Sequence, residues 1–234
     1  MIGHIHSIQT LGAVDGPGLR TVVFMQGCNL RCGCCHNPDT WETDGGTEYS
    51  AQDVFKIVLR NKPYFGNHGG LTVSGGEPLL QADFIYELFE LCHRHGINTC
   101  LDTSGSILND AVIKVLSITD IVLLDIKYTN DTDYIKYVGC SINLPLKFLD
   151  ILNSKGIPTI LRQVIIPTLN DTEMSIRKLK TIADLAQCVC KIELLPFRKL
   201  CSVKYDNFCL DFRFRHFKEA SDELCVKLSE LLKT

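Results

Sequence analysis

Short apolar runs alternate along this chain with stretches in which apolar residues recur every three or four positions, and the alternation repeats six times. The first pattern suits a strand covered on both faces, the second a helix with one apolar side. Strands are predicted over 21–26, 71–74, 98–102, 120–125, 159–166 and 190–195. Helices are predicted over 51–59, 84–94, 110–117, 146–155 and 172–185, with a last one over 217–232. Ser50 stands where the first of these needs a cap, and Asn170-Asp171-Thr172 opens the one rich in Lys and Arg. Strand and helix in strict alternation favour parallel strands joined by right-handed crossovers, as in an α/β barrel or part of one. The count of units alone does not exclude an open doubly wound sheet.

No long linker, low-complexity tract or fixed-period repeat interrupts the series, so a single domain over 1–234 is expected. With 45% hydrophobic and 22% charged residues, the chain can bury a sizeable core. A net charge of −3 gives no basic footprint for nucleic acid. The opening MIGHIHSIQT lacks a basic region followed by an apolar stretch, and no apolar run reaches spanning length, so no membrane partner and a cytoplasmic location are expected. Twelve cysteines in such a chain point to a reducing compartment. Cys92, Cys100 and Cys225 lie among apolar neighbours and read as core residues. Cys188, Cys190, Cys201 and Cys209 are spaced irregularly, which disfavours an auxiliary cluster there.

Chemistry concentrates after the first predicted strand, where Cys28, Cys32 and Cys35 stand at CxxxCxxC spacing within GCNLRCGCCHNPDTW. An electron-carrying cluster of four irons wants four protein ligands, so three thiolates leave one iron open to a substrate. Cys34 offers a second register, Cys28 with Cys32 and Cys34, and His36 beside Cys35 could instead close a tetrahedral Cys3His zinc site. Both alternatives stand at this point. A second motif, Ser74-Gly75-Gly76-Glu77-Pro78, follows the second predicted strand. Paired glycines there permit close backbone approach to a ligand, and the Glu77 carboxylate suits a cationic group such as an ammonium. Read alone, the segment is an ordinary strand-to-helix turn.

Together the two motifs resemble the radical S-adenosylmethionine superfamily, in which CxxxCxxC holds a 4Fe-4S cluster and a GGE segment binds the methionine amino group. The likeness extends through DGPGLR at Asp15 to Arg20, CHNPDTW, SGGEPLLQ, LDTSG and LLDIK, and so resembles the glycyl-radical activases that act on pyruvate formate-lyase. It covers the chain from Gly3 to about Tyr205. The resemblance implies a partial, open (β/α)6 TIM-like barrel, the radical SAM fold. It implies reductive cleavage of S-adenosylmethionine to methionine and a 5′-deoxyadenosyl radical, which takes hydrogen from a glycine of a partner enzyme. Flavodoxin or ferredoxin would supply the electron.

Carried over by position, the resemblance makes Cys28, Cys32 and Cys35 the cluster ligands and puts Cys34 and His36 beside the adenine. Gly76 and Glu77 match the amino-group contacts, and Asp125 and Lys127 the family's DxK, with Lys127 toward the methionine carboxylate. Asp102, with Thr103, matches a position near the methionine and a bound monovalent cation. No catalytic side chain is implied beyond the cluster and its co-substrate. DGPGLR is read either as a rigid turn or as a surface for the partner's glycine loop, with Asp15 and Arg20 near that peptide. Three departures stand out: Cys34 replaces an aromatic residue, Arg198 replaces a histidine near the methionine and is expected to meet a carboxylate of the cofactor there without titrating as histidine does, and 201–216 leaves the usual pattern. The last bears on the partner, for which a diol dehydratase, a choline lyase or anaerobic ribonucleotide reductase is the alternative among glycyl-radical enzymes. A zinc-stabilised interaction module is the non-enzymatic alternative.

Overall fold

The structure, a computed structural model, describes residues 1–233. It divides into two compact units, Met1–Asn29 with Thr40–Leu123, and Leu30–Asp39 with the described chain from Leu124 onward. Among the described residues eight strands form, against six predicted, and the pairing is mixed parallel and antiparallel.

In the first unit, β1 (Ile2–Gly12), β2 (Arg20–Met25), β3 (Thr47–Ser50), β4 (Gly70–Gly75) and β5 (Asn98–Thr103) precede the start of β6 (Ile121–Asp125). They are ordered β3-β1-β2-β4-β5-β6. Parallel register places Val23 opposite Val73 and Val73 opposite Leu101, and all three are fully buried. Burial on both faces is why these strands read as continuous apolar runs. The two unpredicted strands, β1 and β3, pair antiparallel at the sheet's rim. Their polar residues, among them His4, His6 and Glu48, interrupt the apolar signal, which β3 as the edge strand and the half-buried β1 beside it tolerate because one face meets water. Helices α1 (Ala51–Asn61), α2 (Ala82–Arg94) and α3 (Asp110–Leu116) bury the expected stripes, as with Val54, Phe55 and Val58 on α1. Ser50 caps α1, its Oγ accepting the Asp53 amide at 3.1 Å.

In the second unit, the chain leaving β6 runs beside β7 (Thr159–Ile165), with Ile126 N–H donating to the Arg162 carbonyl at 2.9 Å. Strand β8 (Val189–Pro196) pairs parallel with β7, Leu161 opposite Ile192. Helices α4 (Asp131–Tyr137), α5 (Asn143–Lys155), α6 (Glu173–Asp184), α7 (Ser202–Asn207) and α8 (Asp222–Glu230) complete it. Gly156 ends α5 at φ 64, a left-handed cap that glycine adopts without strain. Neither α4 nor α7 was expected, each being too short to show a helical period. The last helix starts at Asp222 rather than at 217, because the Ser221 hydroxyl caps it by accepting the Leu224 amide at 3.1 Å.

Candidate functional site

In the first unit the GGEP segment and the residues leading into Cys28 share one backbone lattice. Gly76 N–H donates to the Met25 carbonyl at 3.0 Å and Glu77 N–H to the Gly27 carbonyl at 2.8 Å. Gly27 and Cys28 donate in turn to the carbonyls of Thr40 and Trp41, at 2.8 and 3.1 Å. A Cβ on Gly76 would lie 2.1 Å from the Gly27 oxygen, and Gly75 sits at φ 115 with its Cβ position 2.3 Å from the Met25 nitrogen. Each glycine is therefore required by the backbone of β2 and the segment after it.

Glu77 is buried, and its side chain brackets the end of β5. One oxygen accepts from Thr103 Oγ1 at 2.6 Å and from the Leu79 amide at 3.2 Å. The other accepts from the Ser104 amide at 3.0 Å and from the Ser104 hydroxyl. A carboxylate's roughly four lone-pair sites are thus matched by four donors. Burial pushes this carboxyl above its ordinary value, with the bonds from Ser104 and Thr103 opposing. Beside it, Asp102 accepts from Ser74 Oγ at 2.7 Å.

In the second unit Cys32, Cys34, Cys35 and His36 lie on irregular backbone closed by one turn, Cys35 N–H to the Cys32 carbonyl at 3.1 Å. Gly33 N–H donates to the Tyr137 carbonyl at 2.8 Å. Beyond the cysteines, α7 holds the loop at two successive residues. Tyr205 Oη donates to the Cys35 carbonyl at 3.1 Å, and Lys204 Nζ reaches Asn37 Oδ1 at 3.0 Å and Asp39 at 3.0 Å. His36 Nε2 pairs with the Arg198 carbonyl at 2.9 Å, so that nitrogen carries the proton.

Asp125, Lys127 and Arg162 form a mostly buried triad in the same unit. Lys127 Nζ and Arg162 Nε donate to different oxygens of Asp125, at 2.8 and 3.2 Å. Burial pushes the Asp125 carboxyl up, but Lys127 and Arg162 outweigh it and hold it below its usual range. Burial likewise works against the Lys127 ammonium, yet Asp125 and then Cys32 and Cys34 raise its pKa well above the ordinary value. The Cys34 thiol is pushed up by burial, with Lys127 pulling it the other way. Tyr134 steadies the backbone here, donating to the Asp125 carbonyl and accepting the Lys127 amide, both at 3.3 Å.

Two arginines differ from expectation. Arg20 is fully buried and cannot meet a peptide at the surface. Its guanidinium donates to Thr72 Oγ1, to the carbonyls of Pro17, His68 and Leu71, and to Asn98, at 2.7 to 3.3 Å. DGPGLR is thus a turn fastened from within. Arg198 directs its guanidinium to the Ala220 carbonyl and to Asp222 at 2.6 Å, leaving its own carbonyl to hold His36. Tyr134, Lys204 and Tyr205 were invisible in the sequence, because each acts through the main chain or at long separation.

All twelve cysteines are thiols, and the three of the CxxxCxxC motif are each partly exposed on irregular backbone. A set of accessible thiols, with an ammonium acting on Cys32, suits an iron-sulfur cluster bound by thiolates. Over residues 22–179 the chain matches the radical SAM superfamily. It is 44% identical to the pyruvate formate-lyase-activating enzyme of Clostridium pasteurianum, over 100% of this chain and 98% of the relative. To the pyruvate formate-lyase 1-activating enzyme of Escherichia coli (strain K12) it is 38% identical, over 99% of this chain and 96% of that one. The fold resembles the crystal structure of Streptococcus suis SuiB bound to S-adenosylmethionine, with a TM-score of 0.69 at 16% identity, over 88% of this chain and 44% of SuiB.

Proposed function

Since this chain belongs to the pyruvate formate-lyase-activating enzymes of the radical SAM superfamily, we propose that its target is a pyruvate formate-lyase and that Cys28, Cys32 and Cys35 are its cluster ligands. Family members use a 4Fe-4S cluster and S-adenosylmethionine, whose one-electron cleavage supplies an oxidant able to take hydrogen from a glycine α carbon. With that kinship the zinc-module reading falls, because the relatives are enzymes along their whole length.

The chain's own residues bind, orient and exclude water. Cys28, Cys32 and Cys35 supply three thiolates and leave one iron for the co-substrate. Gly76 and Glu77 receive the methionine ammonium through their main chain, the Glu77 carboxylate being engaged by Thr103, Ser104 and Leu79. Lys127, aimed by Asp125, meets the methionine carboxylate, and Asp102 with Thr103 serves the same end of the molecule and a monovalent cation. Cys34 and His36 border the adenine, with His36 held in place by the Arg198 carbonyl. A flavodoxin or ferredoxin delivers the electron. The cytoplasmic reading rests on the twelve thiols; among the described residues no helix is long and apolar enough to cross a membrane.

Identity of 44% across the full chain to a pyruvate formate-lyase-activating enzyme carries this reading. The test is anaerobic incubation of the iron-loaded protein with pyruvate formate-lyase, S-adenosylmethionine and reductant, followed by electron paramagnetic resonance. A glycyl signal is expected. S-adenosylmethionine cleaved without that signal would move the target to another glycyl-radical enzyme, such as a diol dehydratase, a choline lyase or anaerobic ribonucleotide reductase.

A further inference from the structure

The geometry points to Tyr128 as a positioning residue of the electron-accepting centre, its hydroxyl donating a hydrogen bond to a cluster sulfur on the side held by Cys32. The inference rests on Cys32 being a cluster ligand. Tyr128 is 2% exposed, and its Oη has no hydrogen-bond partner among the described residues. A buried phenol ordinarily finds an acceptor, so one left over points to a partner that is not protein.

The ring's neighbours say where that partner lies. Tyr128 follows Lys127 in the chain, and its ring lies 5.5 Å from that of Tyr137, centroid to centroid. The Tyr137 carbonyl accepts the amide of Gly33, the residue between Cys32 and Cys34. Phe214 meets Tyr137 edge-on at 5.4 Å and presses on the same turn, where a Cβ on Gly33 would fall 2.3 Å from Phe214 Cε1. Tyr137 and Phe214 thus back the Cys32–Cys34 turn, and the Tyr128 ring lies against Tyr137. Burial, and after it the charges of Cys34 and Cys32, keep the Tyr128 phenol protonated and able to donate. Tyr134, edge-on to Tyr128 at 6.3 Å, shows the contrast, since its hydroxyl is satisfied by Asp125 and Lys127.

A hydrogen bond to a cluster sulfur stabilises the reduced, more negative state and raises the reduction potential. No proton or electron is transferred by Tyr128. The test is a Tyr128→Phe substitution in the anaerobically loaded, full-length protein, with the cluster potential titrated by electron paramagnetic resonance. At a fixed solution potential the ratio of reduced to oxidised cluster should fall about tenfold, equivalent to about 59 mV for one electron. Iron content should stay the same, and Tyr137→Phe should leave the potential in place. An unchanged potential in Tyr128→Phe would overturn the inference and assign the hydroxyl to a protein acceptor, such as the buried and unpaired Gln163 Oε1. An equal shift in Tyr137→Phe would overturn it too, by showing a packing effect. Should the Phe variant fail to fold, the wild-type reduced cluster must still show a coupled proton by electron-nuclear double resonance that vanishes in deuterated water. Its absence would sink the assignment.

Discussion

The backbone amide of Glu77 donates to the carbonyl of Gly27 over 2.8 Å, one residue ahead of Cys28. It is one of four neighbouring bonds, which link Gly76 to Met25, Glu77 to Gly27, Gly27 to Thr40 and Cys28 to Trp41. The GGEP turn and the residues leading into Cys28 are therefore parts of one frame. A shift in either is transmitted to the other through main-chain atoms, which have no rotamers to absorb it.

Gly76→Ala should break that frame. The added methyl would lie 2.1 Å from the Gly27 oxygen, so the backbone must move. Overpacking of this kind costs about 1–3 kcal/mol. Denaturant melts should show the loss, and iron bound after reconstitution should fall with it. Full stability together with full iron loading would mean that the contact is slack.

Asp125→Asn should destabilise the protein by about 3 kcal/mol, because it leaves Lys127 and Arg162 facing a neutral amide in a mostly buried place. The pH profile follows from both shifts. Lys127 and Arg162 hold the folded Asp125 pKa below its reference of 3.8, so its stabilisation is present above that value and is lost as pH falls through the lower folded one. The Lys127 pKa is raised above its reference of 10.5, so its stabilisation is present below 10.5 and is lost as pH rises through the folded value. The wild-type advantage should therefore be flat from about pH 5 to 9. Urea titrations at several pH values measure it; a marked slope across that range would contradict the pairing.

Tyr205→Phe and Lys204→Met remove the two anchors that α7 places on the loop after Cys35. Each should cost about 1 kcal/mol, and the double variant should depart from the sum because both anchors hold the same segment. The sharper readout is kinetic. Iron should be lost to a chelator several-fold faster in either variant, while the thermal midpoint moves by only a few degrees. Equal chelation rates would show that the loop keeps its place without α7.

Buried strands such as β4 were legible because Leu71 and Val73 mark an apolar face and Thr72 between them is buried as well, and the cysteine and GGEP motifs because their spacing is itself the signal. β1 and β3 were not, since residues such as His4 and Glu48 meet solvent or an edge and break the period that marks a strand. Glu77 was read as a ligand for a cation, but the donors that claim its carboxylate, Thr103 and Ser104, lie 26 and 27 residues away and meet it only through the parallel pairing of β4 with β5. The resemblance puts Arg20 near a peptide, whereas the fold buries it fully. Nothing local in DGPGLR announces Thr72, His68 and Asn98, which occupy its guanidinium in the fold.

Iron and sulfide counted per chain, after anaerobic reconstitution of Cys34→Ala and Cys35→Ala side by side, bear most directly on the three-thiolate centre. The expected result is about four irons in Cys34→Ala, as in the unsubstituted protein, and almost none in Cys35→Ala. The reverse would move the third ligand to Cys34, and zinc without sulfide in the unsubstituted protein would contradict the cluster itself.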